Sequence, residues 1–214
     1  MNQWLAHNNF LQGPATSGNI CAIYAVPVEW IHVFPDFDPA TQYLKGDIVL
    51  KYEKYWIKFS VPGANKSFDE ITKTLNGRTY WDQKLSFTLY SQSGNQDVRL
   101  GNMANHRWVF LFREGGTGIY YVVGKPAAGA ELTIGYSNKS GTATDLQVNF
   151  RSIHRAPLYT GVNRALCRLI DDEGNFVVDG DGNYVTFLCD MVVPDNPAGG
   201  DFAGADFNTY FYVL

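Results

Sequence analysis

The chain has 214 residues, of which 45% are hydrophobic, 15% aromatic and 18% charged, with a formal net charge of −4 at pH 7. That size and apolar content provide for one large domain, or a domain with an appendage, and exclude a disordered chain. The mild negative balance argues against tight nucleic-acid binding, which needs clustered lysine and arginine.

Residues 1–19 are polar and contain glycine and proline, so they read as a loop or arm. They show neither the basic nor the apolar region of a signal peptide. No apolar run along the chain approaches the ~20 residues of a membrane span. From Ile20 the pattern alternates, with Ile20, Ala22, Tyr24, Val26, Val28 and Trp30 on one parity, as in a strand. Pro27 calls for an edge or a break there. After the turn Pro35-Asp-Phe-Asp-Pro39, a long strand-like run covers residues 46–61. Ile48, Leu50 and Tyr52 hold one parity; Tyr55, Ile57, Phe59 and Val61 hold the other. That phase switch near Glu53 predicts a β-bulge, because one extra residue exchanges the faces.

Residues 62–78 read as an exposed loop or flap ending in an Asn76-Gly77 turn. Residues 79–90 return to strand, with Leu85, Phe87 and Leu89 inward. Residues 95–106 are the best helix candidate, anchored by Val98 and Met103. Residues 108–113, the turn Glu114-Gly-Gly-Thr-Gly118 and residues 119–124 form a hairpin signal. Leu132, Ile134 and Tyr136 alternate, as do Leu146, Val148 and Phe150. Short strands at turn-spaced intervals define a mainly β chain: a β-sandwich or barrel with one short flanking helix and a C-terminal β-meander appendage. Residues 1–160 form the sandwich and residues 161–214 the extension.

The extension contains the acidic stretch Asp171-Asp-Glu-Gly-Asn-Phe-Val-Val-Asp-Gly-Asp-Gly-Asn-Tyr-Val185. A calcium loop of the EF-hand type needs glycine at its sixth position. Counting from Asp179 that position is Tyr184, and counting from Asp171 it is Phe176. Glu173-Gly-Asn175 and Asp181-Gly-Asn183 instead read as tight turns between short strands, with no metal called for. Cys21, Cys167 and Cys189 are far apart and odd in number, with no zinc spacing. Cys167 and Cys189 could face each other across a hairpin; the simpler reading is reduced, buried thiols in a soluble protein of a reducing cytoplasm.

No catalytic constellation is visible, so the chain reads as a non-enzyme without a cofactor. His7, His32, His106 and His154 are scattered. Gly115-Gly-Thr-Gly118 lacks the Lys-Ser/Thr and the helix of a phosphate loop. Trp56, Trp81 and Tyr80 offer a sugar-binding platform if exposed, and core or subunit contacts otherwise.

Three pieces in order carry a resemblance. The first is Ala22-Ile-Tyr-Ala-Val-Pro-Val-Glu-Trp-Ile31. The second is Lys58-Phe-Ser-Val-Pro-Gly63 leading to Asn76-Gly-Arg-Thr-Tyr-Trp-Asp-Gln-Lys-Leu-Ser-Phe-Thr-Leu89. The third is Trp108-Val-Phe-Leu-Phe112 and Tyr120-Tyr-Val-Val-Gly124, then Ser140-Gly-Thr-Ala-Thr-Asp145, Leu146-Gln-Val-Asn-Phe150 and Arg155-Ala-Pro-Leu-Tyr159. Over about residues 20–160 this order resembles phage tail tube (major tail) proteins of Bacteroidetes-type phages or prophages. The resemblance implies a β-sandwich whose subunits form hexameric rings, stacked into a tube in the virion tail. The tube is assembled in the bacterial host cytoplasm. DNA passes through the lumen without sequence-specific binding, and the partners are the chain itself and other tail proteins, with no membrane. Long strands suit such a wall, with Lys54, Lys58 and Ser60 toward water and Tyr55, Ile57 and Phe59 inward.

The residues expected at assembly contacts are Phe68, Ile71 and Leu75 of the flap and Phe207, Tyr210, Phe211 and Tyr212 of the aromatic end. The alternatives are another phage structural part, such as a tail terminator, connector or baseplate component, and a carbohydrate-binding β-sandwich module. Self-assembly separates the first group from the last.

Overall fold

The computed structural model describes residues 20–59, 61, 66–90, 100–115, 119–137, 143–161, 163–171, 173 and 175–190. It is mainly β, with a large curled sheet forming a half-barrel. The chain enters on β1 (Ile20–Pro27). Pro27 has no N–H to continue the ladder, and Val28–Trp30 form one 3-10 turn instead. Four short strands follow: β2 (Ile31–Val33), β3 (Asp36–Asp38), β4 (Tyr43–Lys45) and β5 (Ile48–Leu50). The β3–β4 turn is fixed by Asp38, whose carboxylate takes Lys45, the Thr41 hydroxyl and the Ala40 N–H. Those partners, Lys45 first, hold its pKa down at about 2.

The phase switch expected at Glu53 is present, and its cause is a turn rather than a bulge. Glu53 adopts φ 57°, and the chain leaves β5 for β6 (Ile57–Phe59) in a different sheet. The two halves of the run face different neighbours, so their parities differ. Tyr55 is exposed rather than inward, while Ile57 and Phe59 do pack inward. Lys54 lies over the Trp30 ring and Lys58 over the Tyr24 ring.

The expected flap is a strand. β7 (Lys66–Leu75) pairs antiparallel with β8 (Arg78–Tyr90) over its whole length. Asn76 and Gly77 both have positive φ, 50° and 74°, as a two-residue hairpin turn requires. Sequence alternation failed to reveal β7 because Phe68 lies on one parity and Ile71 and Leu75 on the other. Helical residues 100–103 bury Leu100 and Met103, and Val98 lies outside the described residues. Next come β9 (Arg107–Glu114), β10 (Tyr120–Val123), β11 (Ala130–Ser137), β12 (Ala143–Ser152) and β13 (Leu158–Tyr159). The last are β14 (Asn163–Arg168) and β15 (Thr186–Asp190).

The large sheet has eleven strands in the order β3-β4-β13-β10-β9-β11-β12-β8-β7, with β1 and then β6 on the other edge of β9. The second sheet is β15-β14-β5-β2, with β14 running parallel to β5. β1 and β9 are buried on both faces. Ile23, Ala25, Trp108, Phe110 and Phe112 point into one core, with Leu85, Phe87, Leu146 and Val148 from the curled sheet. Tyr24, Val26, Val109 and Leu111 point into a second core, with Ile48, Leu50, Trp56 and Tyr159. Trp108 is fully buried and its indole N–H donates to the Met103 carbonyl at 2.8 Å, which ties the helical turn to the first core. Each such large side chain contributes about 1.5–3 kcal/mol by leaving water. At Gly124, φ is 96° and a Cβ would collide with the Trp108 carbonyl oxygen, so only glycine lets the chain turn this close to β9. Among the described residues no helix is long and apolar enough to cross a membrane.

Tyr159 joins the two sheets, because its hydroxyl accepts the Ile48 N–H at 3.0 Å in a buried setting. Burial pushes its pKa up to about 12. Tyr159→Phe should cost about 1–3 kcal/mol in urea unfolding, since the Ile48 N–H is left unsatisfied. The raised pKa also sets a pH window. Stability from the neutral phenol is complete below about pH 10, the unfolded value, and falls as pH rises through 12. The wild-type chain should therefore lose stability over that range more steeply than the phenylalanine variant.

Candidate assembly surfaces

The β7–β8 hairpin starts in the core and ends outside it. Phe68 is half-buried, with its ring 4.6 Å from that of Phe112. Glu70 is almost enclosed and accepts from the Ala156 N–H (2.6 Å), Arg155 Nε (2.8 Å) and Gln83 Nε2 (3.1 Å). Beyond that anchor every residue from Ile71 to Thr79 is exposed. The arm holds its register through the cross-strand pair Lys73–Asp82 and the facing Thr74 and Thr79 hydroxyls. Ile71 and Leu75 share its outer face at 59% and 58% exposure. Ile71 and Thr72 still lie beside strand pairs that β12 extends, whereas from Lys73 to Tyr80 the hairpin has no third strand among the described residues, and a two-stranded ribbon of this kind is only marginally stable in water. An arm of this kind, carrying two exposed branched side chains, has the form of a contact element.

The second surface is built from an eight-residue repeat that sequence reasoning missed. Asp171-Asp-Glu-Gly-Asn-Phe-Val-Val178 and Asp179-Gly-Asp-Gly-Asn-Tyr-Val-Thr186 match at four positions, with Phe replaced by Tyr at a fifth and Glu by Asp at a sixth. In each copy the first aspartate accepts two main-chain N–H bonds. Asp171 Oδ1 takes those of Glu173 and Asn175, and Asp179 Oδ1 those of Asp181 and Asn183. The Asn183, Asp181 and Gly182 N–H groups hold the Asp179 pKa below the usual carboxylate range. The two expected turns are there, and these carboxylate oxygens serve them. The intervening residues make single bridges, Ile170 with Phe176 and Val178 with Tyr184, rather than the strand runs anticipated. The Val177 N–H donates to Leu169, Val185 to Val177 and Leu169 to Val185, each at 2.9 Å. These three bonds close a ring, so three chain segments eight residues apart satisfy one another without an outside partner.

Arg168 seals this unit against the rest of the molecule. Its guanidinium lies 3.9 Å from the Tyr184 ring centroid, 4.1 Å from Tyr52 and 5.2 Å from Phe176. Arg164 adds an ion pair to Asp47 at 3.1 Å. Around this seal Ile170, Phe176, Val178 and Tyr184 remain about half exposed, as do Phe187 and Leu188 on β15. Cys21 is an exposed free thiol. Cys167 is disulfide-bonded, contrary to the expected reduced thiols. The antiparallel register pairs Ala165 with Cys189 and, two positions along, Cys167 with Phe187.

Of the residues expected at contacts, Ile71 and Leu75 stand exposed together on the arm, and Phe68 packs at its root. Phe207, Tyr210, Phe211 and Tyr212 lie outside the described residues. The aromatic platform does not form: Trp56 is buried in the second core, Arg155 covers Trp81 and Arg151 covers Tyr80, each guanidinium 5.4 Å from its ring. The chain matches no protein-family model, no curated protein and no solved structure.

Replacing Arg168 with alanine should loosen the repeat unit by on the order of 2 kcal/mol, because three aromatic faces lose one shared cation. The expected signature is faster amide exchange at Val177 and Val185 with little change at Val109 and Leu111. Arg168→Lys should restore only part of the protection, since a lysine lacks the planar group that stacks on rings.

Proposed function

We propose that this chain is a virion structural protein, a phage tail tube subunit that assembles with copies of itself into stacked rings around a DNA conduit. The observation that carries the reading is the projecting β7–β8 arm, nine consecutive exposed residues held in register and tipped by an Asn76-Gly77 turn. An arm that cannot bury Ile71 and Leu75 at home gains by burying them on a neighbour. Open strand edges support the same reading. Among the described residues, β7 and β3 stand at the two ends of the curled sheet's strand order, each paired on one side. Contact between subunits covers edges of this kind, which otherwise invite uncontrolled pairing. The net charge of −4 agrees with a wall past which DNA slides rather than binds. The resemblance of residues 20–160 to tail tube proteins supplies the ring and the hexameric number.

The arm makes the reading testable. Ile71→Glu with Leu75→Glu should leave monomer stability within ~0.5 kcal/mol, because both positions are exposed. The same pair should abolish rings and tubes in negative-stain electron microscopy and collapse the sedimentation profile to a monomer. Rings that persist in the double variant would remove the arm from the interface. A wild-type chain that stays monomeric at every concentration would remove the tube itself.

A further inference from the structure

Among the described residues the curled sheet does not close on itself. Between β7 and the branch formed by β9, β10 and β13 lies a cavity of about 620 Å³, within the size range of small-molecule sites. Its floor is aromatic. Phe112 and Tyr121 stack with planes 9° apart and centroids 5.1 Å apart, and Phe68 lies against Phe112. Its rim is polar and carries both signs of charge: Glu70, Glu114 and Arg155.

The rim is pre-organised. Glu70 is held by three donors, and its partner Gln83 is 1% exposed. Across the opening, the Gln42 carbonyl accepts the Leu158 N–H at 2.9 Å, which fixes the turn that forms the far wall. Groups already locked lose little freedom when a ligand arrives.

These features select one kind of ligand. A phosphate or carboxylate entering the cavity would meet two carboxylates. An ammonium would compete with the Arg155 guanidinium already paired to Glu70 and with the Tyr121 hydroxyl at Glu114. A lipid chain would cover the charged rim without satisfying it. A neutral polyhydroxylated ring suits all of it, with its C–H face on the aromatic floor, hydroxyls donating to Glu70 and Glu114, and hydroxyl oxygens accepting from Arg155. We propose that this cavity binds a neutral saccharide residue. The site stands apart from the exposed outer half of the arm and does not rest on the assembly reading.

The test uses the full-length protein on an array of neutral, sialylated and sulfated glycans, with hits titrated by calorimetry. Neutral glycans should bind with an affinity that barely changes with salt, since no net ion pair forms. Tyr121→Ala should weaken binding at least ~10-fold, which is about 1.4 kcal/mol. Glu114→Gln, of nearly the same shape, should weaken binding while leaving the melting temperature and ring formation unchanged. That second variant separates a lost contact from a lost fold. Three outcomes would overturn the proposal: no glycan binds, only charged glycans bind and salt removes them, or both variants bind as well as wild type. Ring formation measured on the same samples reports on assembly separately.

Discussion

The structure depends on the pairing of β1 with β9. These two strands, with β10 beside them, divide the two cores, and their side chains alternate between them: Ile23 and Phe110 to one side, Tyr24 and Leu111 to the other. A backbone ladder buried on both faces cannot exchange its bonds with water, so its register is strongly imposed. A slip of one residue would move every large side chain into the wrong core.

Much of the remaining architecture follows from that shared pair. On one face the sheet must curl through β11, β12 and β8 to enclose the three aromatics of β9. On the other face the short strands β2 and β5 suffice, because Trp30, Trp56 and Tyr159 supply bulk. The curl ends at β7, where the hairpin outruns the core it belongs to. Its inner half meets Phe112 and the Glu70 network, and its outer half has nothing beneath it. The cavity and the arm are two consequences of one unfinished barrel. One is the gap left at the seam, and the other is the length of hairpin beyond it.

The C-terminal repeat follows a different logic. It has too few apolar residues to build a core, and it closes through local bonds instead. Aspartates form its turns, three main-chain bonds complete its ring, and a single arginine fastens it to Tyr52. Units held by polar closure leave their apolar side chains only half covered, as Phe176 and Tyr184 are against Arg168. β14 nonetheless runs parallel to β5, so this part of the chain contributes a strand to the second sheet.

The sequence by itself determined the mainly β class, the strands with clean alternation and the turns. β8, β11 and β12 were legible because one face of each meets a single core, and the Asn76-Gly77 turn because its residues accept positive φ at low cost. The aspartate turns were legible too, since their bonds span only two to four residues. What tertiary structure alone decided is which partner each segment meets. β7 was hidden because its apolar residues serve two surfaces, Phe68 the core and Ile71 with Leu75 the solvent side of the arm. Periodicity reports one face at a time, and here the faces change midway. The crossing at Glu53 was legible as a phase change and illegible as a change of sheet. The cavity could not be read at all, for Phe68, Phe112, Tyr121 and Arg155 are spread over 88 positions. Only the curl of the sheet brings them to one place.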